Sequence, residues 1–362
     1  MTAVAMERTP VHPAAAAIGE RNWRTAAIAM LAVRVTLGFI YWGGGSRRFI
    51  YAPDKLNPDA HSWMANKFQT AMPGALFGFD QVVSFLLLHF DLLYAGLIVF
   101  SAAELLSGVM LMAGFLTRLA ALASLGFSVL LMILFGWQGG TCVDEWTMAS
   151  ATIAMSASLL LAGSGAYSLD NLLLRRDNWL ATRSWFRWMG GSLPLPLADR
   201  SYRVLALALL AVVLVFIFGT YDYYRGSIVT AYHGGPVSPT VFHVTLSDAE
   251  LTPQALRFHA YLDAGSGDNP AHILEASLLA ADGNLLAHWD MHALSHLPTA
   301  AIRNTYAYNK FTTGPYGLDV GMGAKAVIAL PLDHAIPAQA GLILHITTVD
   351  GDSFNTGVKP AS

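Results

Sequence analysis

The sequence predicts a membrane protein of mixed architecture. An α-helical bundle of four spans and a fifth single span precede an extracytoplasmic all-β, sandwich-like domain. Three observations carry this. Of 362 residues, 54% are hydrophobic and 12% charged, about half the charge of an average soluble protein. The apolar residues gather into five stretches near the length that crosses a bilayer. After Thr220 the pattern changes to alternation with a period of two. The same composition excludes disorder, which needs low hydrophobicity and high charge. A net charge of −3 and the lack of a basic run exclude nucleic acid as a partner.

Residues 1–24 read as an Ala- and Pro-rich tail. The spans are Ala26–Trp42, Leu92–Leu116, Leu119–Phe135, Thr147–Gly163 and Val204–Thr220. Arg34 inside the first run, with no small-residue cleavage site after it, argues against a signal peptide. A long loop, 43–91, follows and includes the apolar run Val82–Phe90, read as an interfacial or re-entrant helix. Short connections at Thr117–Arg118 and Gly136–Trp146 make the next spans antiparallel neighbours. In the fourth span, Ser150, Ala154, Ser158 and Ala162 recur every four residues, which predicts a face of close helix approach. Residues 173–203 mix tryptophans with arginines, as at a cytoplasmic headgroup layer. Residues 221–362 form the β domain, in which Arg257, His259 and Tyr261 alternate with Phe258, Ala260 and Leu262.

Arginines set the orientation. Arg8, Arg21, Arg24, Arg118, Arg175, Arg176, Arg183, Arg187, Arg200 and Arg203 share the side of the N-terminus. Only Arg47, Arg48, Lys55 and Lys67 lie on the other side of the four-span part. Lys and Arg favour cytoplasmic loops. The expectation is a multi-pass protein of the inner (cytoplasmic) membrane, with a cytoplasmic N-terminus and an extracytoplasmic β domain.

Several residues could carry chemistry. Arg34 and Glu104 fall at the midpoints of the first two spans, either as a packing ion pair or as a proton route beside a lipid-soluble ligand. Arg47 and Arg48 follow three glycines and suit an oxyanion, with a headgroup contact as the competing reading. Cys142 is the single cysteine, so intrachain disulfides and multi-thiolate metal or iron–sulfur sites are excluded. Beside it lie Asp144, Glu145 and Trp146; the carboxylates raise a thiol's pKa unless an arginine intervenes. Packing of the loop is the alternative role for Cys142. His288, His292 and His296 repeat every four residues, yet read as surface or structural histidines in a β domain, so no metal site is expected. No haem or dinucleotide motif is present, and redox chemistry would need a diffusible membrane carrier, a thiol or a second protein.

The four-span part resembles the DoxD-type subunit of thiosulfate:quinone oxidoreductase over roughly residues 26–172. The motifs are R-x3-G-x4-GGGSRR from Arg34 to Arg48, Pro53-Asp-Lys-Leu56, Asp91-Leu-Leu-Tyr94 and Gly114-Phe-Leu-Thr-Arg-Leu-Ala-Ala121. Most specific are Gly136-Trp137 with Thr141-Cys-Val-Asp-Glu-Trp146, and Gly163-Ser-Gly-Ala-Tyr-Ser-Leu-Asp170. The fifth span and β domain are similar to the DoxA-type subunit, so the chain looks like a fusion of the two. The resemblance implies that two thiosulfates are oxidised to tetrathionate and two electrons pass to a membrane quinone, without tightly held flavin, haem or metal. On that basis Cys142, Asp144 and Glu145 are the candidate catalytic residues. Arg47, Arg48 and Trp146 are candidates for substrate binding, and Arg34 and Glu104 for the quinone site or proton relay. The expected partners are thiosulfate, quinone and the bilayer, with a homo-oligomer admitted. The rival is a non-catalytic membrane protein whose β domain binds a partner.

Overall fold

The structure, a computed structural model, describes residues 13–60, 62–139, 144–176, 179–226, 229, 237–267, 269–337 and 339–360. The helices are α1 (Pro13–Ser46), α2 (Met64–Ala71), α3 (Phe79–Leu88), α4 (Phe90–Ala113), α5 (Thr117–Phe135), α6 (Glu145–Ala162), α7 (Leu169–Arg176), α8 (Trp179–Thr182), α9 (Ser184–Met189) and α10 (Asp199–Arg225). Four of the described helices are long and apolar enough to cross a membrane: Gly19–Tyr51, which runs on from α1 through a π-helical turn, and α4, α5 and α10. Their outward side chains are apolar; Val99, Leu106, Leu122, Val204, Val212 and Val215 are exposed. Such surface needs lipid around it, and the chain is a multi-pass membrane protein. The fourth expected span, α6, is also a helix, but Ser150, Thr152, Ser156 and Ser158 make it less apolar than the other four.

Contacts divide the chain into two units, one of Met1–Arg47, Ser101–Ser128 and Ala151–Val213, the other of Arg48–Phe100, Val129–Ser150 and Leu214–Ser362. In the first, glycine lets α1 and α4 touch backbone to backbone. A Cβ on Gly108 would lie 2.2 Å from the Trp42 nitrogen, and one on Gly45 would lie 2.6 Å from Leu105. The face of α6 expected to pack closely is instead largely outward, since Ala154, Ser158 and Ala162 are exposed. The packed face is one position over, at Ala149, Ile153, Ser156 and Ala157. Small size marked candidates, but burial followed the larger neighbours Ile153 and Leu159.

In the second unit α3 realises the expected helix within the long loop, with Val82, Phe85 and Leu88 exposed. The β part contains β1 (His243–Leu251), β2 (Ala255–Ala264), β3 (Ala271–Leu279), β4 (Leu285–Trp289), a short helix α11 (Met291–Ser295), β5 (Ile302–Asn304), β6 (Phe311–Gly314), β7 (Gly317–Val320), β8 (Lys325–Pro331), β9 (Leu342–Thr348) and β10 (Ser353–Pro360). They form one barrel-like sheet in the order β5-β8-β2-β1-β10-β9-β3-β7-β6, with β4 on β3. Period-two alternation identifies strands but not whether their sheet is cut in two or continuous, so a sandwich was the simpler expectation. Here the two edges meet through a side chain. Asn304 Nδ2 donates to the Phe311 carbonyl (2.9 Å), and Phe311 N donates to Asn304 Oδ1 (2.8 Å).

This sheet does not close its core alone. Trp137 and Tyr224 belong to the same buried cluster as Leu256, Leu262 and Phe311, and Leu76 packs against it. Tyr306 and Tyr308 in turn join the cluster of Trp63, Met72, Val83 and Leu134. Gln69 on α2 is fully buried. Its amide donates to the carbonyls of Asn309 and Gly323 (both 2.9 Å) and its oxygen accepts from Asn309 N (2.9 Å).

Candidate functional site

Arg34 and Glu104 do not pair. The Arg34 guanidinium donates to the carbonyls of Ser164 (2.9 Å) and Tyr167 (2.7 Å), in the turn that follows α6. Glu104 faces Gly44, where a Cβ would lie 3.6 Å from its Oε2. Residue 44 is ten positions past residue 34, about 15 Å of helix. The midpoints of the apolar runs misplaced Arg34, because α1 extends well beyond its apolar run. Arg34 is part of a tied loop end. Asp170 is fully buried and accepts from the backbone N–H of Leu116 (2.8 Å), Thr117 (3.2 Å) and Gly191 (2.8 Å). It thereby caps α5 and holds Leu116 at a φ of 43°. Arg118 donates to the carbonyls of Leu160, Arg187, Gly190 and Leu193. Two of the resemblance motifs, 114–121 and 163–170, thus serve this end of the bundle as scaffold.

Glu104 is buried in a bundle that also contains a ladder of hydroxyls. Tyr41 donates to the Ser124 carbonyl (2.8 Å) and lies 2.6 Å from Ser128 Oγ; Ser124 Oγ meets Ser156 Oγ at 2.9 Å. Sequence reasoning missed these residues; the spacing of Ser124 and Ser128, one turn apart, was the available signal.

The second constellation surrounds the loop after α5. Cys142 lies outside the described residues. Asp144 is buried; its Oδ1 accepts from Thr147 N (2.9 Å) and Thr147 Oγ1 (3.0 Å), and its Oδ2 is paired with Arg225 Nη2. Arg225 also donates to the Gly139 carbonyl (3.4 Å). Its guanidinium carbon is 5.9 Å from the Trp146 ring and 5.6 Å from the Tyr221 ring. Trp146 in turn donates to Thr220 Oγ1 (3.1 Å). Glu145 is paired with Lys67 (3.0 Å), whose ammonium also donates to Gln138 Oε1 (3.0 Å). The loop between β2 and β3 lies alongside, for a Cβ on Gly267 would be 3.5 Å from Gln138 Oε1 and 3.8 Å from Lys67 Nζ. Arg47 is exposed, and Arg48 is half-buried with its guanidinium 5.8 Å from the Phe100 ring. Asp144, Glu145 and Trp146 therefore come together with Lys67 and Arg225. Arg225 carried a sequence signal, an arginine ending an apolar span.

The histidines sit apart from this network. His292 and His296 stack at 4.2 Å on α11, and His288 hydrogen-bonds Ser277 (3.0 Å). Among the described residues no group of three His, Cys, Asp or Glu side chains is placed to hold a metal.

Apolar helices long enough to cross a membrane, followed by an all-β domain, define a multi-pass membrane protein with a folded β domain at its C-terminal end. Residues 29–197 match the family model of the TQO small subunit DoxD, and residues 224–357 that of the TQO small subunit DoxA. The chain belongs to both families, joined in one polypeptide, and is at the family level a thiosulfate:quinone oxidoreductase. The DoxD match reaches 197 rather than ending near 172, and the carbonyls of Gly190 and Leu193 that receive Arg118 fall in that added stretch.

Proposed function

We propose that this protein oxidises two thiosulfates to tetrathionate and passes the two electrons, with two protons, to a membrane quinone. The observation that carries the reading is the union of both subunit families in one membrane chain. Quinone enters from lipid toward Glu104 and the Tyr41 hydroxyl, groups able to supply protons to a reduced headgroup. Thiosulfate binds at the other constellation, beside Trp146. The arginine distribution orients the protein in the cytoplasmic membrane with the N-terminus inside and the β domain outside, where a hydrophilic dianion arrives.

In this reading Cys142 forms a covalent relay. Its thiolate and the first thiosulfate lose two electrons to quinone, forming Cys–S–S–SO₃⁻, while quinone takes up two protons. The second thiosulfate attacks the outer sulfane sulfur, the Cys142 thiolate leaves, and tetrathionate is released. Asp144 and Glu145, which follow Cys142 closely in the sequence, are each balanced by a cation, which lessens any opposition to a thiolate.

The test is thiosulfate-dependent reduction of a soluble quinone analogue by the detergent-purified chain, with tetrathionate measured. One tetrathionate per quinol supports the reaction, and a folded preparation without turnover refutes it. Cys142→Ala and Cys142→Ser both abolish turnover if the relay operates. Substantial turnover by Cys142→Ala would end the covalent route and leave the overall reaction standing.

A further inference from the structure

Lys67 and Arg225 are held in matching ways by neighbouring residues. Lys67 is fixed by Gln138 and Glu145, and Arg225 by Gly139 and Asp144. The two cations come from different families, since Lys67 lies in the DoxD match and Arg225 at the start of the DoxA match. We propose that Lys67 and Arg225 together receive the sulfonate oxygens of thiosulfate, and that Asp144 and Glu145 are positioning residues holding these cations. This rests on the reaction proposed above and makes its site a composite of both families.

Unused donors support it. Arg225 Nε–H is buried with no hydrogen-bond partner among the described residues. Such a donor is costly unless an acceptor is supplied. Lys67 has three ammonium donors, of which Gln138 and Glu145 take two. The side chains are also pre-oriented. Asp144 grips one end of the Arg225 fork, and Trp146 and Tyr221 flank it. A fixed fork suits an oxyanion better than a mobile one. Arg47, by contrast, is exposed. Because each carboxylate already has a cation, an incoming dianion does not meet bare negative charge.

The competing role is mechanical: the two cations merely staple Gln138–Gly139 to Asp144–Glu145. The full-length protein in detergent separates the two, with thiosulfate binding read by calorimetry and steady-state KM read for thiosulfate and for the quinone analogue. Arg225→Lys keeps a charge beside Asp144 but loses the fork. It should raise the thiosulfate Kd and KM about tenfold, the effect of one lost charge-assisted hydrogen bond, with the quinone KM and Tm little changed. Lys67→Met should do the same, and Lys67→Arg should restore affinity. Should Lys67→Met fold poorly, the double variant Lys67→Met with Glu145→Met removes the pair together and should still lose affinity. A lowered Tm with unaltered thiosulfate Kd and KM in the Lys67 and Arg225 variants would overturn the proposal and leave the staple. Wild-type protein that neither binds nor turns over thiosulfate would instead refute the proposed reaction, and this proposal with it, before any variant is compared.

Discussion

Arg34 and Glu104 are both charges buried in a membrane bundle, yet their surroundings give them different work. Arg34 has two carbonyl acceptors at a loop end, and hydrogen bonds to a charged group contribute about 1.5–3 kcal/mol each. Arg34→Leu is therefore expected to lower the melting temperature markedly in detergent. Glu104→Gln keeps the shape and loses the titratable carboxyl beside Gly44. It is expected to slow quinone reduction at least tenfold, in line with the general contribution of a positioned proton donor, about 10²–10⁴-fold, while leaving Tm within a few degrees. If Glu104→Gln melts as early as Arg34→Leu and keeps its turnover, Glu104 is a packing residue and the proton route lies elsewhere. The sequence marked both residues as unusual by their place in apolar runs. It did not reveal their partners, because partnership depends on how far α1 extends past its apolar run and on its register against α4.

At the level of elements, glycine placement explains the α1–α4 contact. Gly108 has no room for a Cβ against the Trp42 backbone, whereas Gly126 has open space around its own. Gly108→Ala is expected to cost about 1–3 kcal/mol through overpacking, and Gly126→Ala to be neutral or stabilising, both read by thermal unfolding. Equal effects would mean that glycine acts there through helix propensity alone. Of the three glycines before Arg47, Gly45 serves helix contact. Spans, turn signals and strands were legible because they depend on local periodicity: α4, α5, β2 and β9 fall close to where the pattern put them. The α6 face, the continuous sheet and the Arg225–Asp144 pair were not, since each depends on contacts between residues far apart in the chain. Of the site around Asp144, Asp144, Glu145 and Trp146 were legible as a polar run at a span's edge and Arg225 as an arginine ending an apolar span, but the pairing of Lys67 and Arg225 with the two carboxylates was not.

Across the whole second unit, helices and sheet share buried polar and apolar groups, which sets its response to pH and to cutting. Burial raises the Tyr261 and Tyr308 phenols above their ordinary value of 10.0 and lowers the Lys325 ammonium, whose nitrogen lies 4.2 Å from the Tyr261 ring centroid. A raised folded-state phenol keeps its proton when the unfolded one has lost it. Its stabilisation is full below pH 10 and is lost as pH rises through the folded value; Lys325 gives the opposite slope below its ordinary 10.5. Thermal melts should thus fall with increasing alkalinity above pH 10, less steeply in Tyr261→Phe, and an unchanged slope would remove Tyr261 as the cause. Cutting tests the sharing directly. Residues 221–362 alone lack Trp137 and Leu76 from their core and Gln69 from their loops. Each stranded group at Asn309 and Gly323 costs about 1–3 kcal/mol, a large part of the 5–15 kcal/mol that typically separates folded from unfolded domains. The excised β domain is expected to aggregate or to bind hydrophobic dyes without a cooperative melt. Co-expression with residues 1–220 as a separate chain should restore it, and the two pieces should co-purify. Gln69→Leu in the intact chain should lower Tm. A soluble, monomeric fragment 221–362 with a sharp melt would show that the sheet closes its core unaided and that the Trp137 and Gln69 contacts only dock a finished domain.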